Sequence, residues 1–370
     1  MKIGKRIILL LVLCFIVCGC SNFNNSPESV SKEMMKRLSN ANYENIEELL
    51  YLKENAFVSD SSFKQYLERN SINLEGIKDY KYLKTEELGG NTYVYFDLGN
   101  NKRFKINTVQ NDDKWYISLD NEYDEDLIIK VPTGAKVKLD NKILDYKKYA
   151  KTEQDSLRVN YSYSPEINVD VYTIPYIFSG EYNLVVEIDN AEKINQTINS
   201  DKYYFSPLES DEKYFANRSD EYLLKMIPAS EFKSSIEDYI TKFYNNMFES
   251  VNNNKEFNDV NHLEKAKKEY NKLLNSKEEI GSYSEKRRSN FRLNKINFDD
   301  IYYYGDENII IKYSVEFVYN YEFKYTNFMA SMDKFNENKE NIDTMSSSIQ
   351  IEKTKDGFNI KSGYDFIPEV

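Results

Sequence analysis

VPTGAKVKLDNK at residues 131–142 and YTIPYIFSGEYNLVVEI at 172–188 alternate apolar and polar side chains and break at glycine. That is the pattern of half-buried strands joined by tight turns. Asp140-Asn141 and Ser179-Gly180 supply turn residues, so each segment reads as a hairpin. Together they predict a small β-sandwich over residues 127–199. On either side the periodicity changes to amphipathic helices followed by aromatic strands, which makes the chain an α+β multidomain protein. The divisions fall at 27–126 for a first α+β module, 127–199 for the sandwich, 200–228 for a linker and 229–370 for a last α+β module.

In the first module Ser26-Pro27 is a helix start, and Val30, Met34 and Leu38 recur on one face. Further helices are expected over Tyr43 to Leu52 and Ser61 to Asn70, the latter behind a serine cap. Strands follow at Tyr80 to Lys84, Thr92 to Leu98, Arg103 to Val109 and Lys114 to Leu119, with turns at Asn100-Asn101 and Asp112-Asp113. Trp115, the only tryptophan, reads as core. In the last module Phe232, Ile236, Tyr239, Phe243, Met247 and Val251 space a helix over Ser230 to Val251, and Leu263, Ala266, Tyr270 and Leu273 a second. Strands are expected at Phe291 to Phe298, Ile309 to Tyr325, Ser346 to Lys353 and Phe358 to Lys361.

The acidic run Asp120, Glu122, Asp124, Asp126 lacks the glycine and final glutamate of a calcium loop, and it reads as a solvated linker. Residues 145–165 are polar and tyrosine-rich without a clear period, so they read as a long surface excursion of the kind that carries binding. Tyr161 and Tyr163 within it, and Tyr172 beyond it, are candidates for stacking on sugar rings.

The chain begins with a processing signal. Lys2, Lys5 and Arg6 precede an apolar run from Ile7 to Val17, and Val17-Cys18-Gly19-Cys20 closes it. Eleven residues at about 1.5 Å each span ~17 Å, too little for a hydrocarbon core of ~30 Å. The pattern resembles the lipobox of bacterial lipoproteins. That resemblance implies a signal peptide over 1–19, a diacylglycerol thioether on Cys20, a polar tether over 20–26 and a place on the extracytoplasmic face of the cell membrane. Cys14 and Cys18 would leave with the signal, so no thiol remains for a disulfide. With His262 the only histidine, metal sites of several His or Cys ligands and the usual Ser–His–acid arrangement are excluded. No cofactor is implied. Without residues 1–19 there remain 46 basic against 61 acidic residues, a balance of −15 that argues against a nucleic-acid partner and against anionic lipid.

The two strand segments also resemble the Ig-like repeat of the TcaA family, the teicoplanin-resistance-associated membrane proteins of Gram-positive bacteria. SPESVSKEMMKRLSNANYENIEELL at 26–50 resembles that family's membrane-proximal domain, and the C-terminal third its NTF2-like domain. The resemblance implies an Ig-like sandwich, an NTF2-like cone and an extracytoplasmic role. This chain departs from the family in carrying a lipoprotein signal where a four-cysteine zinc ribbon and a transmembrane helix usually stand.

The reading is therefore a non-catalytic surface lipoprotein, attached through Cys20, that binds or scaffolds cell-wall glycan or another envelope protein. A hydrolase or other enzyme with a pocket in the C-terminal cone stays open as an alternative, with Glu316 or Glu322 as its carboxylate. So does the solute receptor of a transporter, although helix-then-meander order argues against its two α/β lobes. Lys286-Arg287-Arg288 reads as a solvated strand edge.

Overall fold

Ser26 and Ser59 start the two helices of the first unit by one device. The Ser26 hydroxyl accepts from the Ser29 N–H at 3.1 Å, and the Ser29 hydroxyl accepts from the Ser26 N–H at 3.0 Å. Ser59 and Ser62 repeat the pair at 3.0 Å each way. Each such cap stabilises its helix by about 0.5–2 kcal/mol. The helices are α1 (Pro27–Ser39) and α2 (Asp60–Arg69), so the second cap lies two residues before the serine expected from sequence. The computed structural model describes residues 23–119, 123–156, 163–200, 221–223, 226–275, 278–280, 284–305, 309–325 and 336–368. Expectations on other residues, Cys20 among them, fall outside the described part.

The helix expected over 43–52 is a single 3-10 turn, Ile46–Leu49. Asn45 takes φ +53° and Leu50 is already extended, bridging to Ile117, so no helical register can continue. After the short strand β1 (Ala56–Phe57) come β2 (Lys81–Leu88), β3 (Asn91–Asp97), β4 (Arg103–Asn111) and β5 (Lys114–Ile117), an antiparallel sheet in chain order. Val94, Phe96, Ile106 and Ile117 pack on Val30, Met34, Leu38, Phe63 and Leu67 of the helices, with Trp115 partly buried against the same core.

The sandwich corrects one expectation. β6 (Tyr123–Pro132) and β7 (Lys136–Leu139) belong to different sheets, and so do β10 (Glu166–Phe178) and β11 (Glu181–Glu187). Ser179-Gly180 is thus a corner between sheets rather than a hairpin turn, and Thr133-Gly134 is its counterpart. Gly134 at φ +83° and Gly180 at φ +151° hold backbone conformations that L side chains rarely adopt. The crossing lets both segments feed one core: Ile129, Val131 and Ile174 from one sheet meet Val137, Leu139, Leu184 and Val186 from the other. The hairpin at Asp140-Asn141 is as expected, joining β7 to β8 (Lys142–Ile143) with φ +46° and +67°.

Residues 124–126 of the acidic run are strand, not linker. β6 already pairs with β10 from Tyr123↔Phe178 onward, in the register that Leu127, Ile129 and Val131 set. The excursion over 145–165 is also partly regular. The Asp145 carboxylate accepts from Lys147 N–H at 3.0 Å and starts the short helix α3 (Tyr146–Tyr149), which leads into β9 (Ala150–Ser156) on β10. β12 (Ile194–Asn199) completes the second sheet, and β13 (Glu221–Leu223), inside the expected linker, adds to β6 in parallel.

Helix α4 (Ser230–Asn252) falls where its apolar spacing placed it, as does α5 (Glu264–Asn275). They cover one face of an antiparallel sheet in chain order: β14 (Glu278–Ile280), β15 (Ser284–Tyr303), β16 (Ile309–Tyr325), β17 (Asn336–Thr354) and β18 (Gly357–Tyr364). Several strands run well beyond their expected bounds, because polar stretches continue the ladder. Irregularities at Ser289/Arg292, Leu293/Lys295 and Phe298/Asp300 bend β15 and curve the sheet around the helices. Inside the curve Phe248 stacks with Phe291 at 6.4 Å and 11°, Phe291 with Tyr319 at 5.3 Å and 19°, and Phe248 lies 5.6 Å from Phe317. Tyr244 donates to the Phe366 carbonyl at 2.9 Å, so at the 2.9 Å contact between hydroxyls Tyr313 must be the donor.

These tyrosines set an alkaline limit. Burial pushes Tyr163, Tyr172, Tyr239 and Tyr270 up to about 12 from the ordinary 10.0, and it raises Tyr244 and Tyr313 as well. The fold prefers the protonated phenols, so their contribution is complete below pH 10 and is lost as pH climbs from 10 towards 12. Tyrosinate absorbance and loss of circular dichroism should rise together in that window. Smooth tyrosine ionisation from pH 10 with intact dichroism would contradict it.

Candidate functional site

The residues proposed for stacking do not converge. Tyr172 is 2% exposed in the sandwich core, its ring 6.2 Å from Tyr146 and edge-on, and its hydroxyl 3.5 Å from the Ala135 carbonyl. That leaves no ring face for a sugar. Tyr163 reaches the other way: its hydroxyl meets Ser362 Oγ at 2.6 Å, and its ring packs beside Ile167, Val169, Val171, Tyr304 and Ile310, where sandwich and cone join. Tyr161 and Cys20 lie outside the described residues. Glu316 alternates with Val315 and Phe317, which are in the core, so it stands on the sheet face away from the helices and accepts a bond from Asn294 Nδ2. Glu322 shares that parity, opposite Arg287 of the basic triad. Among the described residues no group of three His, Cys, Asp or Glu is placed to hold a metal.

What the structure assembles instead is a cleft of about 930 Å³ on the outside of the cone, between α4, the segment before α5 and the β17–β18 hairpin. The cone's interior, by contrast, holds the aromatic rings described above. Helical spacing puts Ser235, Asp238, Tyr239 and Lys242 on one wall. Asp259 and His262 form the second wall and Glu352, Asp356, Phe358 and Lys361 the third. Tyr239 and Phe358 bring their rings within 5.5 Å at 52°. Burial, then the charge of Asp259, holds the Tyr239 phenol at about 12, while a bond with the Ile360 backbone acts the other way. Phenol and rings thus form a neutral, half-buried floor beneath a polar rim.

Four carboxylates against two lysines leave that rim acidic, and Lys361 lies 3.7 Å from Glu352. His262 Nε2 sits 2.6 Å from the Ile360 carbonyl, so it carries the proton and donates, tying the second wall to β18. His262 is exposed, yet it is bonded across 98 residues. The arrangement suits a ligand with a ring to lay on Tyr239 and Phe358 and a cationic amine to meet the carboxylates.

No protein-family model matches this sequence, and comparison with curated proteins finds no relative. Among solved structures, an NTF2-like protein involved in plasmid conjugation aligns over 94% of this chain and 92% of its own, at 12% identity and a TM-score of 0.20. The intermembrane space region of the chloroplast protein ARC6 aligns over 36% of this chain and 95% of its own, at 9% identity and a TM-score of 0.24. The α+β multidomain class therefore stands on the sheets, helices and cores of the chain itself.

Replacing His262 by Ala should lower stability by about 0.5–1.5 kcal/mol, the net worth of one such bond. The urea midpoint reads this, and His262→Gln, which keeps a donor, should recover part of the loss. An unchanged midpoint for His262→Ala would show that the bond to Ile360 holds nothing.

Proposed function

We propose that this chain is a lipid-anchored, non-catalytic protein of the bacterial envelope, akin to the TcaA family in its outer domains, and that it binds a cell-wall glycan or peptide, or another envelope protein, through the cone's outer cleft. The cleft carries the proposal: an aromatic floor and acidic rim are suited to a sugar ring or a peptide bearing an amine. The anchor is supported by Val17-Cys18-Gly19-Cys20 at the end of the apolar run. Among the described residues no helix is long and apolar enough to cross a membrane. The proposed organisation keeps the first module next to the anchor and gives the last one the ligand.

Cys20→Ala should abolish incorporation of labelled fatty acid and signal cleavage; label still entering the variant sinks the anchor. For the cleft, purified protein titrated with soluble peptidoglycan fragments should bind more weakly as salt rises to about 0.15 M, where the screening length is ~8 Å. Asp238→Asn should weaken the same titration, and Tyr239→Ala should weaken it without changing its salt dependence. Turnover of a wall fragment, lost in Glu316→Gln, would replace binding by catalysis as the function.

A further inference from the structure

The face of the first sheet turned away from its helices has a charge unlike the rest of the chain. Register pairs Lys84 with Tyr95, Glu86 with Tyr93, Tyr93 with Asn107, Tyr95 with Lys105, and Asp97 with Arg103. Val109 pairs with Tyr116 and Asn111 with Lys114. All alternate with Val94, Phe96, Ile106 and Ile117 of the core, so they share the outer face. Tyr51 extends the row, its N–H on the Ile117 carbonyl at 2.8 Å and its ring 6.4 Å from Tyr116.

The outer face thus sets Lys84, Arg103, Lys105 and Lys114, all exposed, against Glu86 and Asp97, in a chain whose acids outnumber its bases 61 to 49. The ammonium of Lys105 lies 4.4 Å from the Tyr93 ring centre and that of Lys84 5.2 Å from Tyr95. Leu88, paired with Asn91 beside the β2–β3 turn, is on the same face and 49% exposed. Tyrosine rings, long cationic side chains and a bare leucine together are the composition of a water–lipid boundary. The 3-10 turn Phe23–Asn25 packs against β5 at the edge of this sheet, and Cys20 is only three residues earlier, a reach of ~10 Å.

We propose that the outer face of the β2–β5 sheet rests on an anionic lipid bilayer, with lipid phosphates against Arg103, Lys105 and Lys114, while Lys84 is held 2.6 Å from Glu86, and with Leu88 and the tyrosines at the headgroup boundary. In its cellular setting this rests on the anchor reading. Anchor and face add: acyl chains hold the protein at the surface, and the cationic face orients it there, while the acidic remainder is repelled outward. The net acidity that argues against anionic lipid from sequence therefore does not describe this face.

The polypeptide Ser21–Val370, without acyl chains, tests the face apart from the anchor by co-sedimentation with vesicles at low ionic strength. It should bind phosphatidylglycerol vesicles, leave phosphatidylcholine vesicles in solution, and be released by high salt. Lys105→Glu and Arg103→Glu should each weaken binding by about 20-fold or more, on the known worth of one basic residue near an anionic surface counted twice for reversal. Thermal melting should not move, because both side chains are exposed. Equal binding to the two lipids, wild-type binding by the Lys105→Glu, Arg103→Glu double variant, or tighter capture by soluble poly(glycerol phosphate) than by vesicles would each overturn the proposal. Loss of the Cys20 anchor reading alone would leave these measurements untouched.

Discussion

One strand sends apolar side chains into three cores, and the rest of the structure depends on it. β10 sends Ile167, Val169 and Val171 to the contact with the cone, Tyr172, Ile174 and Ile177 to the sandwich core, and Phe178 to the core of the first module. Its backbone is equally engaged, pairing with β1, β6 and β9. The strand alternates where one face is open, with Glu166 and Asn168 exposed, and from Val171 to Phe178, where both faces are covered, it is apolar but for Thr173. Three cores meet in thirteen residues, and the modules are joined by shared hydrophobic surface as well as by linkers.

Polar contacts then fix the first module on the sandwich. Asp140 accepts from Asn183 N–H at 2.8 Å with one oxygen and from the Ser59 hydroxyl with the other, so the residue that caps α2 is itself held by the β7–β8 turn. Gln65 meets both backbone groups of Glu181 at 2.8 Å, as a neighbouring strand would. Lys142 bonds the Val58 carbonyl at 3.0 Å and Glu47 at 2.8 Å. Each bond is worth about 1 kcal/mol net, and together they tie the two modules at several points.

Local chemistry was legible in the sequence where local chemistry decides. The periodicity of α4 and α5 and the turn residues at Asn100, Asp112 and Asp140 were visible because each acts within a few positions of itself. Sheet membership was not. Gly134 and Gly180 break their strands as hairpin glycines do, and only pairing with distant β10 and β11 shows them to be corners. The candidate site was less legible still. A surplus of 32 tyrosines concealed that Tyr172 is structural, and the cleft is built from walls more than a hundred residues apart, with His262 its only unusual letter. Net charge is coarse for a related reason: it sums over a surface that is divided by face.

The Gln65–Glu181 contact spans 116 residues, and Phe178 belongs to the core of a module that begins at Pro27. A polypeptide made from its N-terminus first will therefore have displayed Val30, Met34 and Phe63 well before the side chain that completes their burial exists. Closing so long a loop is slow compared with forming helices, so the first module waits on the second and the two mature as one cooperative event. Under the proposed envelope location, that delay keeps the leading segment threadable until most of the sandwich has followed.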